Sequence, residues 1–228
     1  MNRGMTLIDR TMREGALTSR FARLLVVVLL AALTSLIFLV PAKAAESELT
    51  PTETVSDMIN ELFSILKEHQ GPELFHERRR EIERVIRRDV HYEEMAKRSM
   101  GPSWVRMDDQ ARTDYVDLFV HLLRDALTNR MVQSQDEQII YLSERRESTC
   151  AEVRTRLVGS KLDTTLDFRL IHDDGRWLVY DAVMDGTSLV GTYRVQFASI
   201  IRDESLAELL NKLKANTLLV KLFDAHGS

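Results

Sequence analysis

Leu162-Asp163-Thr164-Thr165-Leu166-Asp167-Phe168-Arg169-Leu170-Ile171 decides the reading of this chain. Leu162, Thr164, Leu166, Phe168 and Leu170 alternate with Asp163, Thr165, Asp167 and Arg169, the period of a strand with one dry and one wet face. Asp173-Asp174-Gly175 follows and supplies a hairpin turn. Arg176 to Met184 reads as the returning strand. Upstream, Ile139 to Ser143 and Cys150 to Val158 carry the same period. Four consecutive strands without helical crossovers predict an antiparallel sheet with one covered face.

Helical patterns on both sides supply the cover. Thr50-Pro51-Thr52-Glu53 has the form of a capping box with Pro at the first helical position. Behind it, Val55, Met58, Ile59, Leu62, Phe63, Ile65 and Leu66 fall at helical spacing, and Gly71-Pro72 stops the run. A second helix carries Leu74, Ile82, Val85 and Ile86 among Arg78-Arg79-Arg80, Arg87-Arg88 and the balancing Glu77, Glu81 and Glu83, a solvated face. A short helix from about Tyr92 to Met100 ends at Gly101-Pro102. Asp108 reads as the N-cap of the longest helix, which runs to about Val132. Its stripe of Tyr115, Leu118, Phe119, Leu122, Leu123, Ala126 and Leu127 is wide enough to cover a sheet. After the strands, Ser188 to Ile201 and Ser205 to Asn216 read as helices. The expectation is an α+β fold, with helices packed on one twisted antiparallel sheet of about four strands. No internal repeat or linker divides residues 45–228.

The 228 residues hold 31 Lys+Arg, 35 Asp+Glu, 9 Gly, 4 Pro and one Cys, with 44% hydrophobic. So few Gly and Pro exclude collagen-like and low-complexity classes. One cysteine excludes a disulfide framework and a Cys-based metal site within the chain. Cys150 reads as a small buried hydrophobe rather than a reactive thiol.

Residues 1–44 read as an address. Arg3, Arg10, Arg13, Arg20 and Arg23 precede Leu24 to Val40, 17 residues interrupted only by Thr34 and Ser35. Pro41 and the small-x-small site Ala42-Lys43-Ala44 follow, which completes a secretory signal peptide. A retained anchor is the alternative reading, but 17 residues lie at the short limit for a core of roughly 30 Å. Removing the six basic and two acidic residues of 1–44 leaves 25 basic against 33 acidic. A net charge of −8 gives no reason to expect nucleic acid. Lys212, Lys214 and the arginine clusters read as solvated surface.

Catalytic signatures are missing from the sequence. Histidines 69, 76, 91, 121, 172 and 226 form no His-x-x-x-His or His-Glu-x-x-His pair, so a zinc hydrolase lacks its ligands. There is no Gly-x-Ser-x-Gly elbow, Walker loop or dinucleotide fingerprint. No catalytic, cofactor-binding or metal-binding residue is assigned. Asp181 and Asp185 share a strand face as a carboxylate pair, but acid–base work requires one of them buried with a raised pKa. Their other reading is strand-end aspartates that meet water or a backbone N–H.

The stretch Val183-Met184-Asp185-Gly186-Thr187-Ser188-Leu189-Val190-Gly191-Thr192-Tyr193-Arg194-Val195-Gln196-Phe197 resembles the C-terminal signature of the MlaC/toluene-tolerance family of periplasmic phospholipid-binding proteins. Asp185, Gly186, Ser188, Leu189, Val190, Tyr193, Arg194, Gln196 and Phe197 match its strand, turn and helix positions. Trp177, Val179, Tyr180 and Asp181 fit the strand before it. Met100-Gly101, Trp104, Gln110, Arg112 and Phe119 are similar to the family's upstream positions. The resemblance covers about Val55 to Asn216. Two departures stand within it: Gly191-Thr192 replaces a frequent Ser/Thr-Asn, and a tyrosine common near the end of the long helix is missing at 126–128.

The resemblance implies a periplasmic carrier of phospholipid, not an enzyme, and a fold that encloses an apolar lipid cavity. Its implied partners are phospholipid, an inner-membrane ABC lipid transporter complex and an outer-membrane lipoprotein–porin complex. Exposed acyl chains cost about 0.8 kcal/mol per methylene, so a carrier must wrap them. The expected lining is Leu166, Phe168 and Leu170 from the third strand with Leu62, Phe119, Leu122, Leu123, Tyr193 and Phe197. Ordinary core packing is the competing role for each, and the Tyr193 hydroxyl suits the mouth of a pocket. A hopanoid or other terpenoid cargo, a small α+β enzyme using Asp181 or Asp185, and an interaction module with a filled core stay open.

Overall fold

The structure, a computed structural model, describes residues 49–133, 137–159 and 163–216. The expected leader at 1–44, Leu162 at the expected start of the third strand, and His226 lie outside them.

Helix α1 (Pro51–Glu68) begins with the capping box read from the sequence. Glu53 N donates to Thr50 Oγ1 at 3.1 Å and Thr50 N donates to Glu53 Oε2 at 2.8 Å, so two orphan donors are satisfied reciprocally. Helix α2 (Phe75–Asp89) buries only Ile82, Val85 and Ile86, and its arginines form surface ion pairs such as Arg84 with Glu61 and Glu81, and Arg87 with Glu83 and Asp117. Helix α3 (Tyr92–Met100) stops at Gly101, whose φ of 54° is left-handed. A 3-10 turn over Gly101–Arg106, unread from the sequence, leads to the long helix α4 (Asp109–Gln133). Asp108 Oδ1 accepts from Ala111 N at 2.8 Å, which makes it the expected N-cap.

The sheet comprises β1 (Gln138–Glu147), β2 (Cys150–Val158), β3 (Thr164–Asp173), β4 (Arg176–Met184) and the two-residue β5 (Thr187–Ser188), antiparallel in sequence order. Two of its turns are two-residue hairpins with positive φ at both central positions, Asp174-Gly175 and Asp185-Gly186. Helices α5 (Leu189–Asp203) and α6 (Leu206–Lys214) close the fold.

The α+β architecture is as expected, with four long strands and a short fifth. Helix α1 lies on the sheet and α2 packs on α1; α4 touches α2, α3 and α6. On the free edge of β4, β5 pairs with Val183 and Met184, and Val90 bridges to Val179. That edge is therefore paired at Val179, Val183 and Met184.

Two bulges set which side chains face the helices. In β1, Tyr141 pairs with Thr155 and Ser143 with Arg154, so Leu142 is the extra residue. In β4, Arg169 opposes Asp181 and Leu170 opposes Val179, so Tyr180 is extra. An extra residue switches a strand's faces beyond it. Ile139 and Tyr141 therefore share a face with Glu144, and Trp177 and Val179 share one with Ala182 and Met184. Strand β1 also extends four residues past the expected end, through Glu144-Arg145-Arg146-Glu147. Its charges hid it: Glu144 Oε2 accepts from Thr52 N at 2.8 Å and Thr52 Oγ1 at 2.7 Å, tying β1 to the first turn of α1. Burial opposes ionisation there, yet the Thr52 bonds and Arg146 hold the Glu144 carboxyl below its ordinary pKa.

Candidate binding cavity

The side chains that converge between α1, α4 and the sheet leave a space of about 110 Å³. Helix α1 contributes Met58, Ile59, Leu62 and Phe63, and α4 contributes Leu123, Ala126, Leu127, Arg130 and Met131. The floor is Ile139, Leu157, Leu166, Phe168, Ala182 and Met184, with Leu189 at the side. The strand pairing explains the floor, because Ile139 opposes Leu157, Phe168 opposes Ala182 and Leu166 opposes Met184. Thr155 is the buried polar residue beside it, and its hydroxyl is consumed by the Leu166 carbonyl. Arg130 is the one charged side chain among the described lining residues, and its Nη2 donates to Glu137 Oε2 at 2.9 Å. Such a wall suits an apolar ligand.

Of the nine residues expected to line a cavity, the structure places Leu62, Leu123, Leu166 and Phe168 on this wall. Phe119, Leu122, Leu170, Tyr193 and Phe197 are buried in the core outside it. Phe119 meets Tyr193 edge-to-face at 5.5 Å, Tyr193 stacks on Phe197 at 5.4 Å, and Tyr115 joins them. This aromatic cluster rivets α4 to α5. The Tyr193 hydroxyl therefore does not lie at a mouth: it is buried with no hydrogen-bond partner among the described residues, and burial drives its pKa up. Tyr115 is likewise buried with a raised pKa, which desolvation causes and a 2.6 Å bond to Ser99 Oγ opposes.

Twelve of the sixteen described lining residues were not among those expected from the sequence, Arg130, Ala182 and Met184 with them. Arg130 carried the signal of a charge within an apolar helical stripe. Ala182 and Met184 carried none, since the Tyr180 bulge that turns them inward is invisible in β4 alone.

The two aspartates are occupied by structure. Asp181 is 3% exposed, and its carboxylate accepts from Ser188 Oγ at 2.7 Å, Val190 N at 3.1 Å and Arg169 Nη1 at 3.2 Å. Asp185 Oδ1 accepts from Thr165 N at 2.9 Å and Thr165 Oγ1 at 3.2 Å. These bonds fit the reading of strand-end carboxylates that meet backbone N–H groups. Cys150, expected to be buried, is exposed; it opens β2 directly after the Ser148-Thr149 turn. Among the described residues, no group of three or more His, Cys, Asp or Glu side chains is placed to hold a metal ion. Nor is any described helix long and apolar enough to cross a membrane.

The fold is similar to that of a phospholipid-binding protein from Ralstonia solanacearum, whose structure is a complex with a phospholipid. The two share 20% identity at a TM-score of 0.59, over 72% of this chain and 96% of the other. No curated protein sequence matches the chain. The profile of the MlaC protein family matches residues 56–215, from the first turns of α1 to the end of α6, and the chain belongs to that family.

Proposed function

We propose that the cavity between α1, α4 and the sheet receives the acyl chains of a phospholipid, and that the protein is a lipid carrier rather than an enzyme. In this reading residues 1–44 direct export and are removed, and the mature protein works in the periplasm. There it exchanges lipid with an inner-membrane ABC lipid transporter complex and an outer-membrane lipoprotein–porin complex, as the substrate-binding component of the system.

The observation that carries the reading is the wall itself, apolar on every side except at Arg130. Family membership and the lipid-bound relative support it. A space of about 110 Å³ is smaller than the roughly 300–1,000 Å³ of a drug-sized pocket, so uptake of a diacyl lipid must part α1 or α4 from the sheet. Met58, Met131 and Met184 stand on three different parts of the wall, and flexible thioether side chains repack around a changing volume at low cost.

Organic extraction of protein purified without added lipid, followed by mass spectrometry, tests this. The expected result is phospholipid in near-stoichiometric amount. A terpenoid lipid would change the cargo and keep the carrier. Protein that is empty as purified and takes up no lipid from vesicles would end the reading.

A further inference from the structure

We propose that Arg130 anchors the phosphate of the bound lipid, and that Glu137 holds the guanidinium until the lipid displaces it. The inference rests on the lipid reading above and adds a polar contact to it.

Arg130 sits in the last turn of α4 and lines the cavity, although every other described lining residue is apolar. Its side chain is 17% exposed and that of Glu137 is 26% exposed, so the ion pair stands where the apolar wall reaches solvent. An arginine there lays its methylene stem on apolar surface and keeps its charged head at the edge. A diacyl phospholipid has matching polarity: two apolar chains and a phosphodiester carrying one negative charge. With the chains in the cavity, the phosphate comes to the level of the rim. The guanidinium fork binds phosphate oxygens as well as carboxylate oxygens, with two parallel N–H donors. Exchange of Glu137 for the phosphodiester therefore replaces one anion by another, and the released carboxylate turns to water. The same pair at 2.9 Å also meets a simpler description, a brace between the end of α4 and the start of β1. The two descriptions part on lipid selectivity.

The test offers the protein vesicles of phosphatidylglycerol that contain a minor share of diacylglycerol with identical acyl chains. Protein is recovered, extracted, and the ratio of the two lipids is measured by mass spectrometry. Wild type should be enriched in phosphatidylglycerol relative to the vesicle. R130Q should lower that enrichment by about tenfold, the weight of one charge-assisted contact, while diacylglycerol uptake persists. R130K, a point charge without the fork, should fall between them, and E137Q should raise the enrichment because one competing anion is gone. Circular dichroism and melting confirm that each variant is folded; should R130Q fail to fold, R130K and E137Q carry the comparison. Unchanged lipid ratios in the folded variants, with both lipids still bound, would overturn the anchor and leave the carrier standing. A wild type that takes up neither lipid would remove the carrier reading and the anchor together.

Discussion

Ser188 Oγ donates to Asp181 Oδ2 at 2.7 Å while accepting from Gly191 N at 2.9 Å. Asp181 Oδ1 meanwhile accepts from Val190 N at 3.1 Å. The hydroxyl is the N-cap of α5, and a buried carboxylate on β4 caps the same helix start from outside. Strand, Asp185-Gly186 turn and helix are thereby locked as one unit. The negative carboxylate also faces the positive end of the helix dipole. The residues on which the family signature rests are thus architectural here: they aim α5 so that Tyr193 and Phe197 reach the α4 aromatics.

Replacing Asp181 should cost more stability than replacing Asp185. D181A strands Val190 N–H and removes the acceptor for Ser188 and Arg169 in a buried setting, a loss of about 2–4 kcal/mol. D185A gives up an exposed bond to Thr165 and the Asp preference for a φ of 46°, about 1 kcal/mol. Urea unfolding measures both. Equal effects, or full stability in D181A, would contradict the assigned cap.

Y193F should stabilise the fold. The hydroxyl is buried without a partner among the described residues, and such a group carries a desolvation cost of about 1–3 kcal/mol. Removing it preserves the ring contacts with Phe119 and Phe197. The gain should widen above pH 10, near the ordinary tyrosine pKa. There the unfolded hydroxyl ionises while the folded one, with its raised pKa, keeps its proton, so wild type loses stability as pH rises. Denaturant titrations at pH 7 and pH 10.5 separate the two contributions. A less stable Y193F would mean that the hydroxyl has a partner.

The sheet was legible because β3 places Leu166, Phe168 and Leu170 on one face and charged side chains on the other. The helix starts were legible because Thr50, Asp108, Ser188 and Ser205 are oxygen-bearing caps with local partners. The bulges at Leu142 and Tyr180 were not, since a bulge is a mismatch in residue count between two strands and neither strand contains it alone. The cavity was legible only in part for a related reason. Phe168 on its wall and Leu170 in the solid core stand two residues apart on the same face, and nothing in their chemistry separates a wall from a filled interior. That difference arises from how α1, α4 and the sheet meet, a property of three elements together.

Acid should weaken the fold through two paired carboxylates. The Arg88 hydrogen bond holds the Glu61 carboxyl below its ordinary pKa, against an opposing burial effect and with help from Arg84. Glu144 is held low by the Thr52 bonds and Arg146 despite its burial. Depressed folded values mean stability that is complete above the unfolded carboxylate range, about pH 4.3, and that drains as pH falls through the folded values. E144Q should lose about 1 kcal/mol at pH 7, the order of a charged group at a helix start. Its deficit should close below pH 4. Denaturant midpoints between pH 3 and pH 7 give the comparison; a deficit that persists at pH 3 would assign Glu144 a role in packing rather than charge.

Filling the cavity and hollowing the core should have opposite signatures. Ala126 and Ala182 face the space from α4 and β4. In A126L or A182L, added methylenes enter apolar surroundings, which contributes about 0.8 kcal/mol for each one that finds room, so melting temperature should hold or rise. Recovered phospholipid should drop several-fold, because the filler occupies the volume the chains need. Leu170 is fully buried away from the wall, and L170A should cost about 2–5 kcal/mol while the folded fraction keeps its lipid. Both arms are read from one melting curve and one lipid extraction per variant. The reverse pattern, with lipid lost in L170A and kept in the filled variants, would move the binding site from this cavity to the core around Leu170.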